Sequence, residues 1–184
     1  MTRPDIDLAL VAELADKEAI RELALLYCRG VDRKDSALLR KLYTEDATDT
    51  HGDTFDGPAT EYVDFLESAF PYMRYSGHHV CNHLISVDGD LAEGEIYALA
   101  YHLIPDGNDG WQEDFMCVRY IDHYRRCDDG QWRFAKRVVT YDLRSRRPYE
   151  EPEGAVEPGA EPSYSELNSA LFARLSRDDV SGGN

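Results

Sequence analysis

Four apolar-rich segments follow one another in the second half of the chain, separated by short segments that contain Asp and Gly. They span residues 78–87, 91–104, 111–127 and 132–145. Asp88-Gly89 and Asp129-Gly130 lie in the first and third connections, and such pairs are typical of tight hairpins because these turns need positive φ. The pattern predicts four long strands in an antiparallel meander, and the rest of the chain must pack against that sheet.

The first third of the chain is predicted to begin with a long helix. Apolar and aromatic residues recur there at helical spacing, and they are Ile20, Leu23, Ala24, Tyr27, Cys28 and Val31. Asp16 is the expected N-cap of this helix, and Gly30 is expected where the helix ends.

Three shorter elements are expected between the long helix and the meander. A helix is predicted over residues 36–43 with Ser36 as its cap, a short strand over 47–50, and a third helix from Gly57-Pro58 to about Phe70. Helices that precede strands indicate the α+β class. We therefore predict a cone-shaped, curved antiparallel sheet wrapped around the N-terminal helices, with one open mouth of the kind that binds small ligands.

The C-terminal part of the sequence differs in composition from the rest. The expected organisation is an α+β domain over residues 1–146, an acidic linker rich in Pro and Gly over 147–162, and a helical tail over 163–184. Ser163 and Glu166 have the spacing of a capping box at the start of the tail. The tail is expected to dock either on its own domain or on a neighbouring subunit.

Net charge limits the partners that the chain can bind. The 184 residues carry a formal net charge of −16, which disfavours binding to nucleic acid and to anionic membrane surfaces. There is no apolar run of about 18 residues and no signal-peptide pattern, so a cytoplasmic location is predicted. The cysteines show no C-x-x-C spacing, which fits free thiols in a reducing compartment. The expected partners are a small-molecule substrate and further copies of the chain in a dimer or trimer.

Four segments carry a resemblance to a known family. They are YCRGVDRKD (27–35), YTEDATDTHG (43–52), GHHVCNHLISVDGD (77–90) and WRFAKR (132–137). Over about residues 8–145 the chain resembles the SnoaL-like branch of the nuclear-transport-factor-2-like fold. It looks most similar to the group of scytalone dehydratase, bile-acid 7α-dehydratase and hexachlorocyclohexane dehydrochlorinase. The resemblance implies a cystatin-like α+β roll, an Asp–His pair inside the cone, and neither a metal nor an organic cofactor.

The same resemblance implies catalytic roles for four residues. Asp32 matches the family aspartate after the first long helix, and His78 matches the family histidine at the start of the first long strand. Tyr27 and Arg137 match positions where members of the group place a catalytic tyrosine or lysine and an active-site arginine. The alternatives are structural: a helix-end carboxylate for Asp32, a strand histidine for His78, core packing for Tyr27 and a surface ion pair for Arg137.

An Asp–His pair suits proton abstraction. A neutral histidine accepts a proton near pH 7, and an aspartate on its second nitrogen fixes the tautomer and stabilises the imidazolium. The pair is therefore expected to act as a general base in an elimination, with Tyr27 or Arg137 stabilising the leaving anion.

Strand alternation separates the adjacent histidines of the first long strand. If His78 points into the cone, then Asn82 lies on the same face, and His79 and His83 lie on the other. Such a strand also places His79 and His83 too far apart to share a metal ion, so no metal is assigned to the site. A site of two histidines and one carboxylate contributed by distant residues is the third alternative. The residues expected to contact the substrate are His51, Asn82, His102 and Tyr120.

Two classes of function fit these features. The first is a cofactor-independent lyase, a dehydratase or dehydrohalogenase that acts on a small, mostly apolar cyclic substrate; a SnoaL-like polyketide cyclase or isomerase is a related alternative. The second is a non-catalytic ligand-binding or assembly module, like the β subunit of a ring-hydroxylating dioxygenase. The second class predicts an apolar cavity without a connected Asp–His hydrogen bond.

Overall fold

Helices and strands follow the predicted order in the computed structural model of the chain, which describes residues 6–151 and 162–174. The first elements are α1 (Leu8–Asp32), α2 (Ser36–Leu42), β1 (Tyr43–His51), β2 (Phe55–Pro58) and α3 (Ala59–Ala69). A short 3₁₀ turn at Phe70–Tyr72 then leads into β3 (Tyr75–Asp88), β4 (Leu91–Pro105), β5 (Trp111–Arg126) and β6 (Trp132–Pro148). The described C-terminal segment contains α4 (Ser163–Glu166) and a 3₁₀ turn at Ala170–Phe172.

The predicted meander is present and forms the larger part of one six-stranded sheet. Strands β3 to β6 pair antiparallel in sequence order, and β1 adds to β6 in parallel, so the strand order is β2-β1-β6-β5-β4-β3. The sheet is curved and does not close. The α+β class and the helix-filled curved sheet predicted from the sequence are therefore confirmed.

Helix α1 differs from the prediction at both ends. Its N-cap is Asp7, nine residues before the expected cap, because the side chain of Asp7 accepts hydrogen bonds from the backbone N–H groups of Ala9 and Leu10. Asp16 instead lies within the helix and accepts from Arg126 and Trp132 of the sheet. Gly30 does not end the helix, which continues to Asp32.

The shorter elements are also shifted by a few residues. Asp35, and not Ser36, caps α2, because its side chain accepts a hydrogen bond from Leu38 N at 3.0 Å. Strand β1 is longer than the predicted 47–50, and Pro58 precedes α3 as its N-cap residue.

The hydrophobic core fills the concave side of the sheet. The predicted stripe of α1 is buried throughout, and it packs with α2, α3 and the inward side chains of the strands. Ile20, Leu39, Ile96 and Phe134 are fully excluded from solvent. This packing holds α1 across the sheet. It places the last residue of α1, Asp32, beside the beginning of β3.

A β-bulge in β3 contradicts the expected interior position of Asn82, one of the predicted site residues. Val80 pairs with Ala98 whereas His83 pairs with Ile96, so β3 has one more residue than β4 over this stretch. The extra residue reverses the alternation, because it shifts every later side chain to the other face. Asn82 is consequently exposed, and His83 is turned towards the interior instead.

The C-terminal segment docks on its own chain in the part that the structure describes. Arg29 of α1 donates to Ser163 Oγ at 3.0 Å and to the carbonyl of Phe172 at 3.3 Å, and Tyr164 donates to Asp35 Oδ2 at 3.1 Å. The helix of this segment is only Ser163–Glu166 long, and no side chain caps it, so the capping-box expectation is wrong. The domain boundaries stay a prediction: β6 extends to Pro148, and residues 152–161 and 175–184 lie outside the described residues.

None of the described helices is long and apolar enough to cross a membrane. All four cysteines are free thiols; Cys28 is buried and Cys81 is exposed.

Candidate active site

A cavity of about 350 Å³ lies between the helices and the concave face of the sheet. Most of its lining is apolar or aromatic, including Leu66, Met73, Met116 and Val118. The polar side chains that reach it are Tyr27, His51, Thr54, Tyr62, Tyr72, His78, His102, Asp114, Tyr120, Tyr141 and Arg144. An apolar cavity of this size with a few convergent polar groups is typical of a small-molecule site.

Asp32 and His78 form a connected pair at this cavity. Nδ1 of His78 lies 2.6 Å from Asp32 Oδ1, and the backbone N–H of His78 donates to Asp32 Oδ2 at 3.0 Å. Ser76, two residues earlier on the same face of β3, donates to Asp32 Oδ1 at 2.9 Å. With three donors on one carboxylate, both the side chain of Asp32 and the ring of His78 are held in place.

The hydrogen bonds of Asp32 keep its carboxylate charged. Burial raises the pKa of Asp32, but the bonds from the ring and backbone of His78 and from Ser76 outweigh this effect, so the pKa lies below its ordinary value of 3.8. A carboxylate that accepts from Nδ1–H leaves Nε2 of His78 as the nitrogen that can take a proton.

His102 lies beside His78 on the neighbouring strand β4. The two ring centroids are 5.2 Å apart, and Nε2 of His102 is buried without a hydrogen-bond partner among the described residues. Burial, and to a smaller extent the adjacent His78, lowers the pKa of His102 to about 4. His102 is therefore neutral near pH 7 and adds no positive charge beside His78.

A second Asp–His pair lies at the same cavity on β1. Nδ1 of His51 hydrogen-bonds to Oδ1 of the fully buried Asp49, whose Oδ2 accepts from Tyr43 at 2.8 Å. Nε2 of His51 lies 2.9 Å from the hydroxyl of Tyr62 and 3.3 Å from that of Tyr27. The two hydroxyls are themselves 2.9 Å apart, so the three groups form a closed triangle.

Arg137 is present near the site but does not line the cavity. Its side chain is fully buried, and Nε and Nη2 donate to Asp122 Oδ1 and Oδ2 at 2.8 and 2.7 Å. The guanidinium lies 4.2 Å from the ring centroid of Tyr27 and 4.4 Å from that of Tyr120. The structure thus places Arg137 behind these rings, where it contacts Tyr27 and not the space open to a substrate; it is also not the surface ion pair of the alternative reading.

The other predicted substrate contacts divide into two groups. His51, His102 and Tyr120 line the cavity, as does Tyr27. Asn82 does not, because the bulge in β3 turns it to solvent.

Residues 12–138 match the family described as the SnoaL-like domain, which is more than half of the chain. The chain belongs to this family. A relative, the uncharacterized protein Rv2910c of Mycobacterium tuberculosis, is 26% identical over 138 residues, which are 74% of this chain and 92% of that protein.

Solved structures share the SnoaL-like fold of this chain. A hexachlorocyclohexane dehydrochlorinase, LinA type 2, superposes with a TM-score of 0.70 at 23% identity, covering 79% of this chain and 99% of its own. An NTF2-like protein with a cystatin-like fold from Novosphingobium aromaticivorans superposes with a TM-score of 0.57 at 21% identity, covering 77% and 92%. At these identities the likeness establishes the fold alone.

Sequence reasoning missed three residues that shape this SnoaL-like site. Ser76 and Asp49 each lie two positions before a histidine on the same strand, and the period-two alternation would have placed them on the histidine's face. Tyr62 is one of several apolar positions of α3, and nothing in the sequence distinguishes it from a core residue.

Among residues 6–151 and 162–174, no group of three or more His, Cys, Asp or Glu side chains is arranged to hold a metal ion. His83, now on the interior face, lies 3.2 Å from the hydroxyl of Tyr124.

Proposed function

We propose that this SnoaL-like protein is a cofactor-independent lyase, a dehydratase or dehydrohalogenase, that uses the Asp32–His78 pair as general base. The observation that supports it most strongly is the 2.6 Å contact between His78 Nδ1 and Asp32 Oδ1 at an apolar cavity. The fold shared with a hexachlorocyclohexane dehydrochlorinase supports the proposal that this cavity serves the same class of reaction.

The pair supplies what an elimination requires. Nε2 of His78 accepts a proton from a substrate carbon next to a carbonyl or other activating group, and Asp32 stabilises the imidazolium that forms. The electrons of the C–H bond form the new double bond, and the leaving group departs from the adjacent carbon. General-base catalysis of this kind contributes about 10²–10⁴-fold.

The cavity favours a small, mostly apolar cyclic substrate. Its volume of about 350 Å³ lies at the lower end of the range for ligand sites, and its walls are mainly apolar. Water exclusion by such walls strengthens each polar contact inside. In this proposal Tyr27, which lines the cavity, stabilises the leaving group, and Arg137 acts indirectly through the Tyr27 ring that it contacts.

Two measurements test the base with defined probes. The first follows exchange of the α-protons of cyclohexanone in D₂O by NMR, which needs a base but no leaving group. The second follows conversion of 3-hydroxycyclohexanone and 3-chlorocyclohexanone to cyclohexenone by absorbance, corrected for the spontaneous reaction. His78→Ala and Asp32→Asn are compared with His79→Ala, because His79 is exposed on the opposite face of the same strand.

The expected result is that wild-type protein and His79→Ala accelerate both reactions, and that His78→Ala and Asp32→Asn lower the rates by about 10²–10⁴-fold with little change in Tm. Exchange without elimination would indicate an isomerase that uses the same base. Full activity in either dyad variant, or no acceleration by the wild-type protein of any probe, would count against the pair as a catalytic base.

A further inference from the structure

The Asp49–His51–Tyr62–Tyr27 cluster is the most complete polar network at the cavity that the proposed base does not use. His51 lies on β1 and His78 on β3, which are separated in the sheet by β6, β5 and β4. Curvature of the sheet brings both histidines to one cavity. The two Asp–His pairs therefore reach the same substrate space from different strands.

The hydrogen bonds of Asp49 fix the orientation of His51. Both carboxylate oxygens of Asp49 have a partner, the hydroxyl of Tyr43 and Nδ1 of His51. Since a carboxylate only accepts, Nδ1 of His51 carries a proton whether or not the ring is charged. The state of His51 is therefore decided at Nε2, which faces the two tyrosine hydroxyls.

Counting protons in the triangle of His51, Tyr62 and Tyr27 gives two different states. When His51 is neutral, Nε2 accepts from one hydroxyl, and the other hydroxyl donates to the first, so both tyrosine protons have partners inside the triangle. When His51 is protonated, Nε2–H donates to Tyr62, the nearer hydroxyl at 2.9 Å, and Tyr62 donates to Tyr27. The proton of Tyr27 then has no acceptor inside the triangle and is directed at the cavity that Tyr27 lines.

We propose that Asp49, His51, Tyr62 and Tyr27 form a general-acid relay that protonates the oxygen leaving group of the substrate while His78 removes the carbon-bound proton. This inference rests on the proposed lyase function and narrows its substrate class to β-hydroxy carbonyl compounds, whose leaving group needs a proton. A halide leaves as a stable anion and does not need the relay.

The proton balance of the step is complete. His78 Nε2 gains the substrate's α-proton, the C–O bond breaks, and the leaving oxygen takes the proton of Tyr27 to depart as water. Tyr27 regains a proton from Tyr62, and Tyr62 regains one from Nε2 of His51. The net change is one proton gained by His78 and one lost by His51, and exchange with solvent after product release restores both.

The surroundings of the relay are compatible with this role. Burial raises the pKa of both Tyr27 and Tyr62 above the ordinary value of 10.0, so each remains a proton donor near pH 7. The ring of Tyr62 stacks on His51 with centroids 4.3 Å apart, which holds the hydroxyl in place. The titratable or charged groups around His51 are Asp49 and Tyr43 of β1, Tyr27 of α1, Tyr62 of α3, and Arg137 of β6 behind Tyr27.

A pair of substrates separates the relay from the base. We expect His51→Gln to lower kcat for 3-hydroxycyclohexanone by about 10²–10⁴-fold and to leave kcat for 3-chlorocyclohexanone largely unchanged. Tyr62→Phe keeps the ring that stacks on His51 and should give a smaller loss with the same selectivity, because Tyr27 still lies 3.3 Å from Nε2.

Tyr164→Phe, which removes a tyrosine hydroxyl bonded to Asp35 away from the cavity, is the matched control. Equal losses on both substrates, or no loss on either, would overturn the relay, whereas His78→Ala must affect both substrates.

A second measurement needs no turnover. Only protonated His51 leaves a hydroxyl free to donate, so a carbonyl ligand should bind that form more tightly and raise the titration midpoint of His51, by about one pH unit for a tenfold preference. NMR titration of the His51 ring with and without saturating cyclohexanone measures this shift, and methylenecyclohexane, which lacks the acceptor, is the control ligand. An unchanged midpoint with cyclohexanone would refute the relay even if the Asp32–His78 base is active, and a shift would support the relay even if neither probe is turned over.

Discussion

Nδ1 of His78 lies 2.6 Å from Oδ1 of Asp32, although the two residues are 46 positions apart in the sequence. The contact exists because α1 ends against β3, so that the last residue of the helix meets a strand from the far edge of the sheet. A binding module without catalysis has no need of such a connected pair, and most of the cavity lining beside it is apolar or aromatic.

Ser76 is expected to position Asp32 for its role with His78. Its hydroxyl donates to Asp32 Oδ1 at 2.9 Å and is buried. A neutral hydrogen bond is worth about 0.5–1.5 kcal/mol, so Ser76→Ala should lower kcat for 3-hydroxycyclohexanone by about 2–10-fold. Ser86→Ala, at an exposed position of the same strand, should not change it. A loss as large as that of Asp32→Asn would mean that Ser76 itself takes part in the reaction.

His102 is expected to make folding stability depend on pH. Its folded pKa of about 4 lies below the value of 6.5 for an unperturbed histidine, so between these pH values the unfolded chain binds a proton that the folded chain does not. The free energy of unfolding should therefore fall as pH is lowered from 6.5 to about 4, and His102→Gln should reduce that slope. Urea unfolding at several pH values measures it.

The control for this pH effect is His79→Gln, because His79 is exposed on the outer face. Burial also lowers the pKa of His83 to about 4, so part of the slope should remain in His102→Gln and fall further in the double variant with His83→Gln. An unchanged slope in the double variant would show that neither ring is kept neutral by the fold.

Arg137 and Asp122 are expected to contribute to stability as a pair. Both side chains are fully excluded from solvent, and Asp122 also accepts from Tyr124. Asp122→Asn leaves the guanidinium without a counter-charge, which typically costs about 3–5 kcal/mol. Asp129→Asn breaks the exposed pair with Arg133 and should cost much less.

A double replacement tests whether the Arg137 charge matters for catalysis. In Arg137→Met with Asp122→Leu, apolar groups fill the space of the ion pair, and we expect stability to recover most of the loss seen in Asp122→Asn. If kcat is then close to that of the wild-type protein, the positive charge behind Tyr27 is structural. A large loss of kcat in a stable double variant would support the electrostatic role that the family resemblance implies.

The fold could be predicted from the sequence because the sequence signals for its helices and hairpins are local. The hairpin residues and the helical stripe of α1 each act over a few positions, and the structure places them as predicted. The Asp32–His78 pair came from the family resemblance, since no local rule connects residues at that separation. The buried position of Arg137 behind the rings of Tyr27 and Tyr120 could not be predicted for the same reason, because it depends on Asp122, which lies on the neighbouring strand.

The bulge in β3 explains why the position predicted for Asn82 was wrong. Alternation placed His78 correctly, but the extra residue before His83 depends on how β3 registers against β4 and not on the composition of β3. Asn82 was therefore assigned to the interior and lies in solvent. The Asp49–His51 pair follows the same alternation. It was not predicted because the strand was expected to end at residue 50, whereas β1 extends to His51.

Gly30 is expected to be required by close packing of two helices, not by a turn. A Cβ atom at this position would lie 2.6 Å from Cδ2 and 2.8 Å from Cγ of Leu39, which is fully buried in α2 and has little room to move. Overpacking of this kind costs about 1–3 kcal/mol and opposes the gain of about 1 kcal/mol that alanine brings to a helix interior. We expect Gly30→Ala to be destabilised in urea unfolding, and the double variant with Leu39→Ala to lose less than the sum of the two single losses. A single variant that is more stable than the wild-type protein would mean that α1 and α2 are packed less closely than the structure indicates.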